Sequence, residues 1–90
     1  MKIELFGKVV EDPDNDPCRT TREHLMLHGL DFTFVDVNAD PTAKQRIKDL
    51  DSNYSRAPIV LVTHEDGKLE HWTGFFPPRI DALAAQKQAA

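Results

Sequence analysis

The chain has a single cysteine, Cys18, in a segment that combines a potential nucleophile with several carboxylates. The segment, residues 11–23, reads EDPDNDPCRTTRE. A thiolate attacks disulfides and binds metals, and a position at the start of a helix favours it by lowering the thiol pKa. Nearby negative charges raise that pKa, and four carboxylates precede the cysteine: Glu11, Asp12, Asp14 and Asp16. Cys18 is therefore either a redox thiol or a small apolar residue at the start of a helix.

The same carboxylates resemble part of a calcium-binding loop. Five residues have the spacing of positions 1, 3, 5, 9 and 12 in a twelve-residue loop: Asp12, Asp14, Asp16, Thr20 and Glu23. Position 6 of such a loop needs a glycine with positive φ, whereas this chain has Pro17, whose ring holds φ at about −65°. The backbone argument therefore favours a solvated acidic turn.

Two histidines, His24 and His28, have the four-residue spacing of a helical two-histidine metal pair. Zinc requires at least a third protein ligand, and none is evident nearby in the sequence. The other histidines, His64 and His71, belong to a predicted hairpin. The sequence therefore predicts solvent-facing histidines, with no bound metal and no cofactor.

Two Asp-Pro pairs predict the starts of two helices. In both Asp16-Pro17 and Asp40-Pro41, an N-cap residue precedes a proline that can occupy the first helical position, where its missing N–H has no helical partner. The apolar residues that follow recur at helical spacing. The predicted helices span residues 17–28 and 41–50.

Four segments have the composition of β-strands, and a third helix is predicted after them. The strands are predicted at residues 2–6, 31–37, 58–63 and 69–73, and the last helix at 77–88 with Ile80, Leu83 and Ala84 on one face. Asp66-Gly67 forms the turn between the last two strands. The order is β-α-β-α-β-β-α, an α/β fold with a four-stranded mixed sheet flanked by helices. Because right-handed crossovers follow the first two strands, we expect the first three strands to be parallel and the fourth antiparallel.

Composition excludes several classes of protein. With 90 residues, 40% of them hydrophobic and 29% charged, the chain is predicted to form one globular domain over residues 1–90. The net charge is −4 and the basic residues are scattered along the chain, which argues against a nucleic-acid partner. The single cysteine and the lack of a long apolar segment predict a cytoplasmic protein without membrane contact, and no feature indicates a dimer.

Three stretches of the chain resemble NrdH-type redoxins, which are glutaredoxin-like electron donors to ribonucleotide reductase. They are CRTTREHLMLHGLDF, RAPIVLV and HWTGFFPPRI, at residues 18–32, 56–62 and 71–80. The most specific is the Trp-x-Gly-Phe-x-Pro pattern formed by Trp72, Gly74, Phe75 and Pro77. The resemblance frames most of the chain from Cys18 to Ile80.

The resemblance implies a thioredoxin-like fold of the glutaredoxin type, with Pro58 as the cis-proline that faces the active-site loop. A cis X-Pro bond presents the backbone of the preceding residue for pairing with an extended peptide. The implied substrate-binding residues are Ala57, Pro58, Trp72, Gly74 and Phe75. The implied partner is a disulfide-bearing or peptide-like protein, such as ribonucleotide reductase or a thiol reductase.

The predicted active site departs from the family pattern, which is Cys-x-x-Cys. One alignment places Cys18 at the second, resolving cysteine and Asn15 at the attacking cysteine, and asparagine cannot attack a disulfide. A second alignment makes Cys18 the attacking cysteine of a monothiol site, with Thr21 at the resolving position. The second alignment shortens the first helix by almost a full turn and rotates its apolar face away from the sheet.

Two functions follow from these alignments. The first is a thiol-disulfide oxidoreductase of at most monothiol type, with Cys18 as its candidate redox thiol, acting through mixed disulfides. The second is a redox-inactive protein-binding module that keeps the peptide groove beside Pro58. The sequence alone does not decide between them.

Overall fold

In the part of the chain that the structure describes, seven secondary-structure elements follow one another in the predicted order. The computed structural model describes residues 1–12, 14, 16–54 and 56–89, so Asn15 lies outside the described residues. The elements are β1 (Lys2–Gly7), α1 (Arg19–Leu27), β2 (Thr33–Asp36), α2 (Ala43–Leu50), β3 (Ile59–Thr63), β4 (Leu69–Thr73) and α3 (Pro77–Ala89). Among the described residues, no helix is long and apolar enough to cross a membrane. The predicted α/β fold with a four-stranded mixed sheet is confirmed.

The strands lie in the order β2-β1-β3-β4. β1 and β2 are parallel, as predicted, and β3 and β4 form the predicted antiparallel hairpin. β3, however, is antiparallel to β1. The expectation that the first three strands are all parallel is therefore wrong for β3.

The connection between β2 and β3 explains the direction of β3. The connection leaves the sheet at Asp36, which pairs with Gly7, and returns at Ile59, which pairs with Phe6. Both points therefore lie at the C-terminal end of β1. The eight residues of α2 span only about 12 Å. The segment 51–58 is long enough to bring the chain back over that distance. The chain thus leaves and re-enters the sheet at the same end of β1. β3 must therefore run in the direction opposite to β1.

Both Asp-Pro pairs lie slightly before the helices that they were expected to cap. Cys18 and Thr42 are the residues immediately before α1 and α2, and neither makes a side-chain cap hydrogen bond. Asp16 Oδ1 accepts a hydrogen bond from the Cys18 N–H at 2.8 Å, and Asp40 Oδ1 accepts one from the Thr42 N–H at 2.9 Å. Each aspartate therefore forms an Asx turn that leads into its helix. Cys18 lies just before the first helical turn rather than within it.

The alternation of side chains along the strands divides the core into two layers. One layer lies between the sheet and the helices α1 and α3, and the other lies between the sheet and α2. The first contains Ile3, Leu5, Cys18, Leu25, Leu30, Val60, Val62, Trp72, Ile80, Leu83 and Ala84, and the second contains Phe6, Val35, Ala43, Ile47, Ile59 and Leu61. The predicted buried face of α3 is confirmed.

A partly buried ion pair connects α2 to the centre of the sheet. Glu4 is only 6% exposed, and both of its carboxylate oxygens accept hydrogen bonds from Arg46 Nη2, at 2.7 and 2.9 Å. The Arg46 guanidinium carbon also lies 5.1 Å from the centroid of the Phe6 ring. Because a buried carboxylate is costly without a partner, Arg46 makes Glu4 compatible with its position in the core.

We expect Arg46→Met to lower the free energy of unfolding by about 1–3 kcal/mol, because the Glu4 carboxylate then stays buried without its donor. The double variant Glu4→Leu/Arg46→Met should recover most of this loss, since apolar residues often replace a buried ion pair at little cost. Urea unfolding at neutral pH measures both effects, with Lys44→Met on the exposed face of α2 as the control. A double variant no more stable than Arg46→Met contradicts this interpretation.

Candidate functional site

The sulfur of Cys18 lies inside the protein. The residue is 0% exposed and belongs to the core layer beneath α1 and α3. A Cβ atom built on Gly7 would overlap with Cys18 Sγ, and its next contact would be Cε2 of Phe34 at 3.3 Å. The sulfur therefore packs directly against the end of β1, in the space left by the missing side chain of Gly7.

Burial raises the pKa of the Cys18 thiol above its ordinary value. Desolvation is the largest cause, and the nearby Asp16 carboxylate raises the pKa further. The positive charge of Arg22 and a hydrogen bond from the Lys8 backbone lower the pKa without cancelling the other effects. At neutral pH the group is a neutral thiol, which is a poor nucleophile.

The acidic residues before Cys18 are paired with arginines of α1. Asp16 Oδ2 accepts a hydrogen bond from Arg22 Nη2 at 2.7 Å, and Asp14 Oδ1 accepts one from Arg19 Nη1 at 3.2 Å. Arg19 Nε also donates to Glu23 Oε1 at 3.0 Å. Asp14, Asp16 and Glu23, which have calcium-loop spacing in the sequence, thus each pair with an arginine. These contacts hold the turn against the helix that follows it.

The Ala57–Pro58 peptide bond is cis. The end of β4 holds the segment in place: the Gly74 N–H donates to the Pro58 carbonyl at 2.8 Å, and Thr73 Oγ1 donates to the Arg56 carbonyl at 2.7 Å. Gly74 has φ +83°, a conformation that favours glycine. No described residue forms a hydrogen bond with the backbone of Ala57. This backbone therefore remains available to an added strand.

The two aromatic residues of the predicted groove have different environments. Trp72 is 6% exposed and pairs with Val60 inside the sheet, so it supports the groove from within the core. Phe75 is 41% exposed, and its ring makes an edge contact with His24 at 5.6 Å between centroids. Of the two, only Phe75 offers a surface to a partner.

A groove of about 250 Å³ adjoins Ala57 on the α2 side of the sheet. We call it the basic groove, because its described lining residues include four cations and no carboxylate: Lys8, Lys44, Lys48 and Arg56. Phe6, Val37, Ile47 and Ile59 provide apolar surface, and Tyr54 completes the lining. This groove was not predicted from the sequence, although the four-residue spacing of Lys44 and Lys48 on α2 was a usable signal.

A larger cavity, of about 650 Å³, lies at the opposite end of the sheet. Its lining includes Met1 at the start of the chain and His64 and Lys68 of the hairpin. Lys2 pairs with Thr63 at this end, whereas Gly7 and the cis peptide bond lie at the other. The cavity is therefore separate from the candidate site.

We expect Gly7→Ala to lower the free energy of unfolding by about 1–3 kcal/mol, because its Cβ overlaps with Cys18 Sγ. Gly7 does not have a positive φ, so backbone strain does not contribute. In a Cys18→Ala background the same change should cost markedly less, since the atom that it meets is absent. A double-mutant cycle from urea unfolding should give a coupling of at least about 0.5 kcal/mol. Additive losses contradict the proposed contact.

The structure of the chain is similar to solved structures of thioredoxin-like proteins. The chain is similar to the structure of NrdH-redoxin from Escherichia coli, described as a glutaredoxin-like protein with a thioredoxin-like activity profile, with a TM-score of 0.69 and 24% identity over 92% of this chain and 95% of that chain. It is also similar to the crystal structure of a mutant of a thioredoxin-like protein, with a TM-score of 0.66 and 26% identity over 93% of this chain and 95% of that one. No protein-family model and no curated protein matches the sequence. The chain therefore has a glutaredoxin-like thioredoxin fold.

Proposed function

We propose that this protein is a redox-inactive binding module that holds an extended segment of a protein partner beside the cis peptide bond. The burial of Cys18 carries this proposal. Attack on a disulfide requires an accessible thiolate, whereas the Cys18 sulfur is 0% exposed and has a raised pKa. This burial also favours the alignment that places Cys18 at the resolving rather than the attacking position.

The backbone beside the cis peptide bond supports a binding role. An extended peptide binds to a protein by pairing its main chain with free N–H and C=O groups at a strand edge. Ala57 offers such groups, while Thr73 and Gly74 hold the residues on either side of it. A partner segment can therefore pair with Ala57 without displacing hydrogen bonds among the described residues.

The basic groove indicates the chemistry of the partner. It places four cations around an apolar floor, although the whole chain has a net charge of −4. Opposite charges across an interface favour association and select among partners. We therefore propose a partner segment that combines acidic residues with apolar ones, whose carboxylates meet the cations and whose apolar side chains enter the groove.

The proposed role predicts that a fluorescein-labelled peptide with alternating Asp and Leu residues binds more tightly than the matched peptide with Lys in place of Asp. The double variant Lys44→Glu/Lys48→Glu should raise the dissociation constant of the Asp-Leu peptide by about tenfold or more, because it reverses two charges at the groove. Fluorescence anisotropy at low salt measures the affinities.

The matched control is Lys2→Glu/Lys68→Glu, which makes the same change in net charge at exposed positions away from the groove. We expect this control to weaken binding much less. Equal weakening by the two double variants, or no preference between the two peptides, would exclude the basic groove as the binding site.

Thiol-disulfide exchange of the monothiol type is the second candidate. Arg22 and the Lys8 backbone both favour the thiolate form of Cys18, and the fold is shared with NrdH-redoxin. In this role the Cys18 thiolate attacks one sulfur of a partner disulfide, forms a mixed disulfide and releases the other sulfur as a thiolate. A second thiol, from the partner or a small molecule, then resolves the mixed disulfide. The segment before α1 must first move to expose the sulfur.

Reaction with a chromogenic aromatic disulfide separates the two candidates. For the binding module, native Cys18 should react far more slowly than in denaturant at neutral pH. Its native rate should rise only at a higher pH than the rate of the unfolded chain, because the folded state holds the proton more tightly than the unfolded chain.

A reductase-coupled disulfide assay provides the second measurement. Equal rates for the wild type and Cys18→Ser support the binding module. Fast native labelling at neutral pH, with activity that is lost in Cys18→Ser, would instead establish the oxidoreductase and overturn the first proposal.

A further inference from the structure

Three potential metal ligands meet where α1 packs beside α3. His24 Nε2 and His28 Nε2 each lie 2.9 Å from Asp81 Oδ1, and the two imidazole centroids are 4.7 Å apart. Asp81 is 57 residues from His24 in the chain. The sequence predicted solvent-facing histidines without a third ligand nearby, whereas the fold brings the Asp81 carboxylate between them.

We propose that His24, His28 and Asp81 form a Zn²⁺ site that joins α1 to α3. The candidate ligand atoms all lie within 4.8 Å of one another. Zinc bonds to imidazole nitrogen and carboxylate oxygen are about 2.0–2.2 Å long, so ligand atoms around a tetrahedral ion are about 3.3–3.6 Å apart. Asp81 Oδ1 lies 2.9 Å from each imidazole nitrogen, which is closer than this spacing, so zinc binding would move the carboxylate outward and bring the two imidazoles to a common ligand spacing.

The donor set favours zinc among common divalent ions. Two imidazole nitrogens and one carboxylate oxygen suit a borderline ion, whereas Ca²⁺ and Mg²⁺ prefer sites built from oxygen ligands. Three protein ligands leave a fourth tetrahedral position, which water can occupy. The fractional exposures of the side chains are 22% for His24, 31% for His28 and 55% for Asp81, so an ion can enter from solvent.

Neighbouring contacts hold the ligands in place. The edge contact with Phe75 restricts the orientation of the His24 ring. Lys87 of α3 donates a hydrogen bond to the Gly29 carbonyl just after α1, which keeps the two helices in contact. The proposed site does not depend on peptide binding at the basic groove, because the two share no residue.

Isothermal titration calorimetry of Zn²⁺ into the reduced, chelator-treated full chain tests the site. We expect one ion per chain and a rise in Tm on addition of zinc, because the ion binds the folded arrangement of the two helices. His28→Gln and Asp81→Asn should each weaken binding more than tenfold, since even outer contacts of zinc ligands contribute about 10–100-fold. Both variants should lose the rise in Tm.

The matched control is His64→Gln, which disrupts a different histidine–carboxylate pair, with Glu70 at 3.0 Å. This variant should bind Zn²⁺ as the wild type does. The visible absorption of Co²⁺ added in place of zinc should indicate tetrahedral ligation in the wild type and the control alone. Circular dichroism tests whether His28→Gln and Asp81→Asn fold. If one of the two variants does not fold, the other still tests the site.

The outcomes are distinct. One-to-one binding that is kept in His64→Gln and lost in the ligand variants supports the site. The absence of binding at millimolar Zn²⁺, or equal affinity in the wild type and a folded His28→Gln or Asp81→Asn variant, overturns the proposal and leaves a hydrogen-bonded cluster without a metal.

Discussion

The contact between the sulfur of Cys18 and the end of β1 determines how the first helix meets the sheet. Gly7 has no side chain, so the sulfur packs against the strand backbone and the first helical turn comes close to it. The same contact removes the sulfur from water, which raises its pKa. A position suited to packing is therefore poorly suited to nucleophilic chemistry.

The direction of β3 brings Ala57 and Pro58 to the end of the sheet at which Cys18 packs. Because β3 is antiparallel to β1, it begins beside Phe6, near the strand end against which Cys18 packs. A parallel β3 would place Ala57 and the cis bond at the opposite end. The antiparallel arrangement instead sets the backbone of Ala57 next to the basic groove, where α2 contributes two lysines. Ala57 and the cations of the basic groove thus lie on one continuous surface.

The helices add a second, independent cluster. His24 and His28 meet Asp81, which is far away in the sequence, because α1 and α3 cover the same face of the sheet. Their buried sides supply core residues such as Leu25 and Leu83, while their outer sides bring His24, His28 and Asp81 together. The packing that stabilises the core therefore also determines the geometry of the polar cluster. His24 lies in α1, His28 follows α1 directly and Asp81 lies in α3, so the cluster depends on the packing of both helices.

Local patterns in the sequence determined the order of elements, the turn at Asp66-Gly67 and the buried face of α3, because strand alternation, helical spacing and turn residues act between near neighbours. The family-like pattern around Gly74 also indicated the thioredoxin fold. Tertiary structure alone decided the direction of β3, the burial of Cys18, and which distant charges meet at the basic groove and around Asp81. These features depend on desolvation and on contacts between residues far apart in the chain, which no local spacing encodes.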